Sequence, residues 1–144
     1  MIDKFSRQYA FLSNYYECSV TFDGLCYASS EAAFQAQKTL DPEQRKAFTL
    51  LAASEAKRKG KKVNLRPDWE EIKYDIMYAV CKAKFTQHPD LAQKLLGTGD
   101  EMLVEGNNWG DKIWGQVKGE GKNLLGQILM RIRDELRNCT EQSG

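Results

Sequence analysis

Between Ser29 and Lys38 the chain places Glu31, Phe34, Gln35 and Lys38 at i, i+3, i+4 and i+7, the spacing that sets four side chains on one face of a helix. A carboxylate, a ring, an amide and an amine gathered in this way would make the wall of a site. A carboxylate near a helix start has its ionised form favoured, which suits a group that must face developing positive charge. The stripe has a second reading as a solvated face, with Ala32, Ala33, Ala36 and Leu40 packing on the opposite side. A second segment, Glu105-Gly106-Asn107-Asn108-Trp109-Gly110-Asp111-Lys112-Ile113-Trp114-Gly115, brings two tryptophans and an aspartate into a glycine-containing loop. Exposed tryptophan is costly unless it packs or stacks, so the rings either pin the loop to the core or offer a platform to a base, with Asp111 as a carboxylate beside it. Gly115, Gly119 and Gly121 then lead to Asn123 at a helix start, where backbone N–H groups can receive phosphate. A third segment, Lys57-Arg58-Lys59-Gly60-Lys61-Lys62 with Arg66 beyond, is either a solvated face or a receiver of phosphates or a nucleic-acid backbone. Trp69 follows at another helix start, placed to anchor the core or to stack on a base.

Other chemistries are poorly supplied. There is one histidine, His88, before Pro89 at an expected helix end, where it reads as a surface or capping residue. The four cysteines, Cys18, Cys26, Cys81 and Cys139, include no C-x-x-C pair. No zinc site is expected, therefore, and no Ser-His-Asp or Cys-His nucleophile. The thiols are expected reduced and mostly in the core. The formal net charge of +1 leaves any attraction to nucleic acid to a local patch.

The elements that must carry these residues follow from local signals. Cys18 to Phe22 alternates as a strand, Asp23-Gly24 is a hairpin turn, and Leu25-Cys26-Tyr27 is the return. Ser29-Ser30 caps a helix to about Lys38. Asp41-Pro42 with Gln44 starts a second, and Ser54 caps a third that stops at Gly60. Asp68 with Glu71 opens a long helix to about Phe85, with Trp69, Ile72, Ile76 and Val80 as its apolar stripe. A short helix spans Asp90 to Leu96, Thr98-Gly99-Asp100 turns, and Met102-Leu103-Val104 forms a brief strand. Asn123 caps a last helix carrying Leu124, Leu125, Ile128, Leu129, Ile132 and Leu136. The expectation is a mostly helical α+β domain with a small antiparallel sheet over residues 1–138 and a short tail, 139–144. With 42% hydrophobic residues, no apolar run near the roughly 20 residues that span a bilayer, and no signal-peptide pattern, a cytoplasmic or nuclear protein is expected. The sequence carries no signal for oligomeric state.

Taken together the segments resemble the NADAR (YbiA-like) N-glycosidase family. The resemblance rests on Tyr9-Ala10-Phe11-Leu12-Ser13-Asn14-Tyr15, on Ser29-Ser30-Glu31-Ala32-Ala33-Phe34-Gln35-Ala36-Gln37-Lys38, and on Trp69 with Lys73 and Met77. It continues through Lys84-Phe85 with Gln87, Thr98-Gly99-Asp100, Leu103-Val104-Glu105, Asp111-Lys112-Ile113-Trp114-Gly115, Gly121-Lys122-Asn123 and Leu125-Gly126-Gln127-Ile128-Leu129-Met130. It covers nearly the whole chain in order, and Ser29 to Lys38 is its most specific piece. It implies a helix-rich α+β fold, a pocket for a ribose nucleotide and cleavage of a C–N glycosidic bond. Members act on phosphoribosylated intermediates of riboflavin synthesis or reverse ADP-ribosylation of guanine in nucleic acid.

Glu31 and Asp111 correspond to functional positions of the family and, with Lys38, are the catalytic candidates. Trp69 matches a further functional position. Asn14, Ser30, Phe34, Gln35, Trp69, Lys73, Trp114, Gly115 and Asn123 are the substrate-binding candidates. No metal and no cofactor is expected. The expected partner is a nucleotide or ADP-ribosyl substrate, with ADP-ribosylated DNA or RNA as one form of it and no membrane. Two departures stand out: Arg7 occupies a position between Phe5 and Tyr9 that often holds glycine, and Gln116-Val117 follows Trp114-Gly115 where riboflavin-linked members carry an acid and more glycines. The rival reading from another class is a module that binds ADP-ribose without turning it over.

Overall fold

A hairpin and four helices arise from residues 14–87. Strands β1 (Val20–Phe22) and β2 (Leu25–Tyr27) pair antiparallel with Val20 opposite Tyr27 and Phe22 opposite Leu25. Asp23 and Gly24 both take positive φ, 50° and 84°, the two-residue turn whose twist suits a hairpin. The helices are α1 (Ser30–Ala36), α2 (Pro42–Ala47), α3 (Ala53–Gly60) and α4 (Trp69–Gln87). The computed structural model describes residues 1–143; Gly144, the end of the expected tail, lies outside the described residues.

Asn14–Gln87 forms one compact unit. Helix α1 is its centre, packed by α3, α4 and the hairpin. Ser29 caps it, its Oγ accepting from Ala32 N at 3.1 Å. Asp41 caps α2 as expected, accepting from Glu43 N and Gln44 N. Gln44 does not close a capping box; its Oε1 accepts from Thr39 Oγ1 and Asn64 N. Ser54 is not the cap of α3 either: Ala52 holds that position, and Glu55 Oε1 reaches back to its N–H at 3.1 Å. In α4 the buried face is Trp69, Met77, Val80, Cys81, Lys84 and Phe85. Ile72 and Ile76 are only half-buried, so the apolar stripe read from the sequence is rotated, and a lysine sits in the face that packs.

Met1–Ser13 and the chain from His88 onward form the second unit. Here a 3-10 turn (Arg7–Leu12), α5 (Pro89–Leu96) and α6 (Leu124–Ser143) surround Phe11, Leu12, Leu91, Leu95, Leu103, Leu125, Ile128 and Ile132. The brief strand expected at 102–104 is a single parallel bridge between Ile2 and Leu103. Helix α6 continues to Ser143, through most of the segment read as a tail. Among the described residues no helix is long and apolar enough to cross a membrane.

Candidate active site

The site builds from α1 outward. Asn14 O accepts the N–H of Glu31 at 3.0 Å, one of the N–H groups a helix start leaves without an internal partner. Ser30 Oγ donates to Asn14 Oδ1 at 2.9 Å, Cys81 Sγ to the same oxygen at 3.6 Å, and Asn14 Nδ2 to Met77 Sδ at 3.2 Å. Asn14 and Ser30 are thus buried braces that seat the first turn of α1 on α4.

The solvated-stripe reading of α1 fails. Glu31 is 8% exposed and Gln35 6%, and Phe34 is buried as well, while Leu40, expected to pack, is exposed. A helix enclosed by α3, α4 and a hairpin has no solvent face to offer. Buried polar groups must then find one another: Gln35 Nε2 donates to Glu31 Oε1 at 2.9 Å. The ring of Phe34 meets that of Trp69 at 5.1 Å and 52°, a tilted pair that anchors the start of α4.

Lys38 lies just beyond α1, half-buried. Burial lowers its pKa from the ordinary lysine range, Glu31 and Glu70 oppose that, and Lys61 and Lys57 reinforce it. Five charged groups therefore share one neighbourhood. Lys73 pairs with Glu70 one turn away along α4. Arg66 acts as a structural tie. Its N–H donates to Lys38 O at 2.8 Å and its guanidinium to Asp68 at 2.7 and 3.2 Å. That contact holds the Asp68 carboxyl below the usual range.

Sequence reasoning missed Lys84 as an individual. It is 1% exposed, with its amine 5.6 Å from the Tyr16 ring centre and 5.2 Å from that of Phe85. Burial brings its pKa down to about 8, against the pull of Cys81 and Cys18. The Cys81 thiol is pushed up to about 12 by burial. The signal was available: Met77, Val80, Cys81, Lys84 and Phe85 recur at three and four residues. Cys81 is the buried thiol; Cys18 is half-buried and Cys26 and Cys139 are exposed, so the cysteines are not mostly in the core.

The remaining candidates belong to the other unit. Asp111 Oδ1 accepts from Ile113 N at 3.0 Å and Trp114 N at 2.9 Å, fixing the turn into Trp114. Asn107 sits at the middle of the loop, donating to Asp111 O and Glu105 Oε2 and accepting from Asp111 N. Gly115 has no room for a side chain, since a Cβ would lie 2.0 Å from Glu105 O. Asn123 does not cap α6 with its side chain. It takes φ 53°, accepts from Glu105 N and donates to Leu103 O, both at 2.9 Å. The phosphate-receiving helix start also fails, because Leu124 N and Leu125 N already donate to the carbonyls of Ile113 and Trp114. Trp109 is 60% exposed and Trp114 half-buried. His88 stands at the N-cap position of α5.

The family model of the NADAR domain matches residues 3–137. The chain belongs to the NADAR family. Among its relatives, this NADAR chain is 36% identical over 137 residues to the N-glycosidase YbiA of Escherichia coli, covering 91% of this chain and 84% of that one. It is 32% identical over 145 residues to an N-glycosidase of Nostoc punctiforme, covering 96% and 92%. It is 40% identical over 135 residues to a riboflavin biosynthesis protein of Vibrio vulnificus, covering 91% of this chain but spanning only 36% of that longer protein. The solution structure of E. coli YbiA matches with a TM-score of 0.84 at 35% identity, over 97% of this chain and 89% of that one. The α+β architecture, mostly helical with one small antiparallel sheet, is that of this NADAR relative.

Proposed function

We propose that this NADAR protein is an N-glycosidase that hydrolyses a ribosyl C–N bond, removing ADP-ribose from guanine in nucleic acid. The observation that carries the reading is the buried Glu31, held by Gln35 and within electrostatic reach of the half-buried Lys38. Breaking the bond builds positive charge at the anomeric carbon and negative charge on the departing base. An ionised carboxylate beside the sugar lowers that barrier, and a proton donor helps the base leave. Glu31 takes the first role, by stabilising the cationic sugar or activating water. A lysine with lowered pKa has a larger neutral fraction, so Lys38 offers a covalent route. Its nitrogen bonds to the anomeric carbon as the bond to the base breaks, the base leaves with the electron pair and takes a proton, and the ring opens to an imine. Water then hydrolyses the imine, releasing the sugar and restoring the amine. Trp69 is proposed to stack on base or sugar; for Asp111 and Trp114, in the other unit, the family resemblance alone supports a role toward the base.

Support for the guanine substrate comes from the cations of α3 and the residues just after it, two of which act on Lys38, and from Gln116-Val117 in place of the riboflavin-linked pattern. The Vibrio relative's name favours the second reading, a phosphoribosylated riboflavin intermediate. One panel tests both. The protein is incubated with ADP-ribosylated guanine oligonucleotide, the riboflavin intermediates and NAD, and products are identified by mass spectrometry. Release of unmodified oligonucleotide from the first substrate is expected. Binding of ADP-ribose with no cleavage of any of them would leave a reader module instead.

A further inference from the structure

Gly60 ends α3 without a positive φ, so its backbone does not call for glycine. What calls for it is space. A Cβ built there would lie 2.0 Å from Gln35 Oε1 and 2.9 Å from Gln35 Cδ, distances at which one partner must move. The Gln35 amide has little freedom to give: it is buried, its Nε2 donates to Glu31, and its Oε1 has no hydrogen-bond partner among the described residues. An orphaned buried acceptor normally costs stability, and α1 accepts that cost here because the other end of the amide is committed to Glu31. Turning the amide over would set two oxygens against each other, so only one orientation suits an ionised Glu31.

We propose that Gly60 is a positioning residue: the bare backbone at the end of α3 leaves the one space in which the Gln35 amide can reach and orient Glu31. The inference rests on the assignment of Glu31 above. It makes the carboxylate's aim a property of three residues on two helices, and it gives Gly60 a role that helix termination does not explain. Gly60 lies within α3 and has no positive φ, a backbone that alanine adopts as readily, so a loss on Gly60→Ala reports the contact with Gln35 rather than the backbone.

The test is a cycle of Gly60→Ala, Gln35→Ala and the double variant, read in single-turnover cleavage of ADP-ribosylated guanine oligonucleotide at saturating substrate. Each single variant is expected to slow turnover about tenfold or more through misplacement of the carboxylate, with KM changed less than about threefold. The double variant is expected to be no slower than Gln35→Ala alone, since without the amide the added methyl has nothing to displace. Additive losses, or wild-type turnover in Gly60→Ala, would overturn the proposal. A second readout needs no substrate. The Gln35 side-chain amide protons, followed by NMR, should be shifted and slow to exchange in the wild type and should lose both properties in Gly60→Ala and in Glu31→Gln. If no substrate is cleaved by the wild type, the assigned reaction fails while the amide signals still decide the link; unchanged signals in both variants would refute it.

Discussion

Glu31 is more than a first-turn charge. A glutamate at an exposed helix start contributes only about 0.3–1 kcal/mol through the dipole, but this one is buried and accepts from Gln35. Glu31→Gln therefore sets two amides side by side, and we expect it to destabilise the fold by about 1–2 kcal/mol while turnover drops about a hundredfold and ADP-ribose affinity changes less than about tenfold. A thermal melt, a titration and single-turnover cleavage separate the three. A lowered melt with full turnover would make the residue structural only. For Lys38 the lowered pKa predicts turnover that rises with pH sooner than an ordinary lysine would allow. Borohydride should trap its imine as an adduct on Lys38, found by peptide mass spectrometry and absent from Lys38→Arg; reduction that yields no adduct would remove the covalent route. Lys84 predicts a stability effect. Its pKa is about 8 folded and about 10.4 in the unfolded chain. The unfolded state therefore holds the proton more tightly, and the stability cost of burying the charged amine is relieved as pH rises from about 8 to about 10. Lys84→Met removes that dependence. Denaturation at both pH values should show the variant losing ground to the wild type by about 2 kcal/mol over this interval.

At the scale of elements, Arg7 shows how a departure from the family pattern meets the backbone. The family resemblance leads to an expectation of glycine at this position, and its φ is 54°, a region that costs a residue with a side chain roughly 1 kcal/mol. Arg7→Gly should then leave stability unchanged or raise it by up to about 1 kcal/mol, as denaturant midpoints would show; a clear loss would mean that the arginine side chain outweighs its backbone. Among the described residues local signals located the hairpin and the six α-helices, but not the 3-10 turns, because caps and turns are written within four or five residues: Asp23-Gly24, Ser29 and Asp41 all act as read. The misreadings occur where a distant partner displaces a local one. Asn123 looks like a cap, yet its amide ties Glu105 and Leu103 together. The stripe of α1 looks amphipathic, yet tertiary packing encloses it. Arg133 and Lys84 are buried cations, a placement that residue type alone does not announce; Arg133 donates to Thr98 Oγ1 and Glu101 O. Of the candidate site, Glu31, Phe34, Gln35 and Lys38 were legible as a group from helical spacing, and Trp69 from its place at a helix start. Gly60 was legible only as a helix stop, because its contact with Gln35 lies 25 positions away in the chain.

Across the molecule the near-neutral total hides a local excess. Lys57, Arg58, Lys59, Lys61 and Lys62 fall within and just after one short helix, so affinity for an ADP-ribosylated oligonucleotide should weaken steeply between about 50 and 200 mM salt, while that for free ADP-ribose changes much less. Equal salt slopes for the two ligands would place the nucleic acid elsewhere. The donor set in the sequence also predicts that turnover survives EDTA. Loss on chelation, restored by one particular ion, would reveal a carboxylate site that the spacing does not announce.

The three tryptophans differ sharply in their surroundings, and that gives the protein its own optical reporter. Trp109 is largely in water, whereas Trp69 is shielded and packed at a tilt against Phe34. Iodide or acrylamide should therefore extinguish Trp109 first and leave a blue-shifted emission dominated by Trp69, the ring that touches the same helix as Glu31. Changes in that quencher-resistant light on adding ADP-ribose would follow events beside α1 without any label.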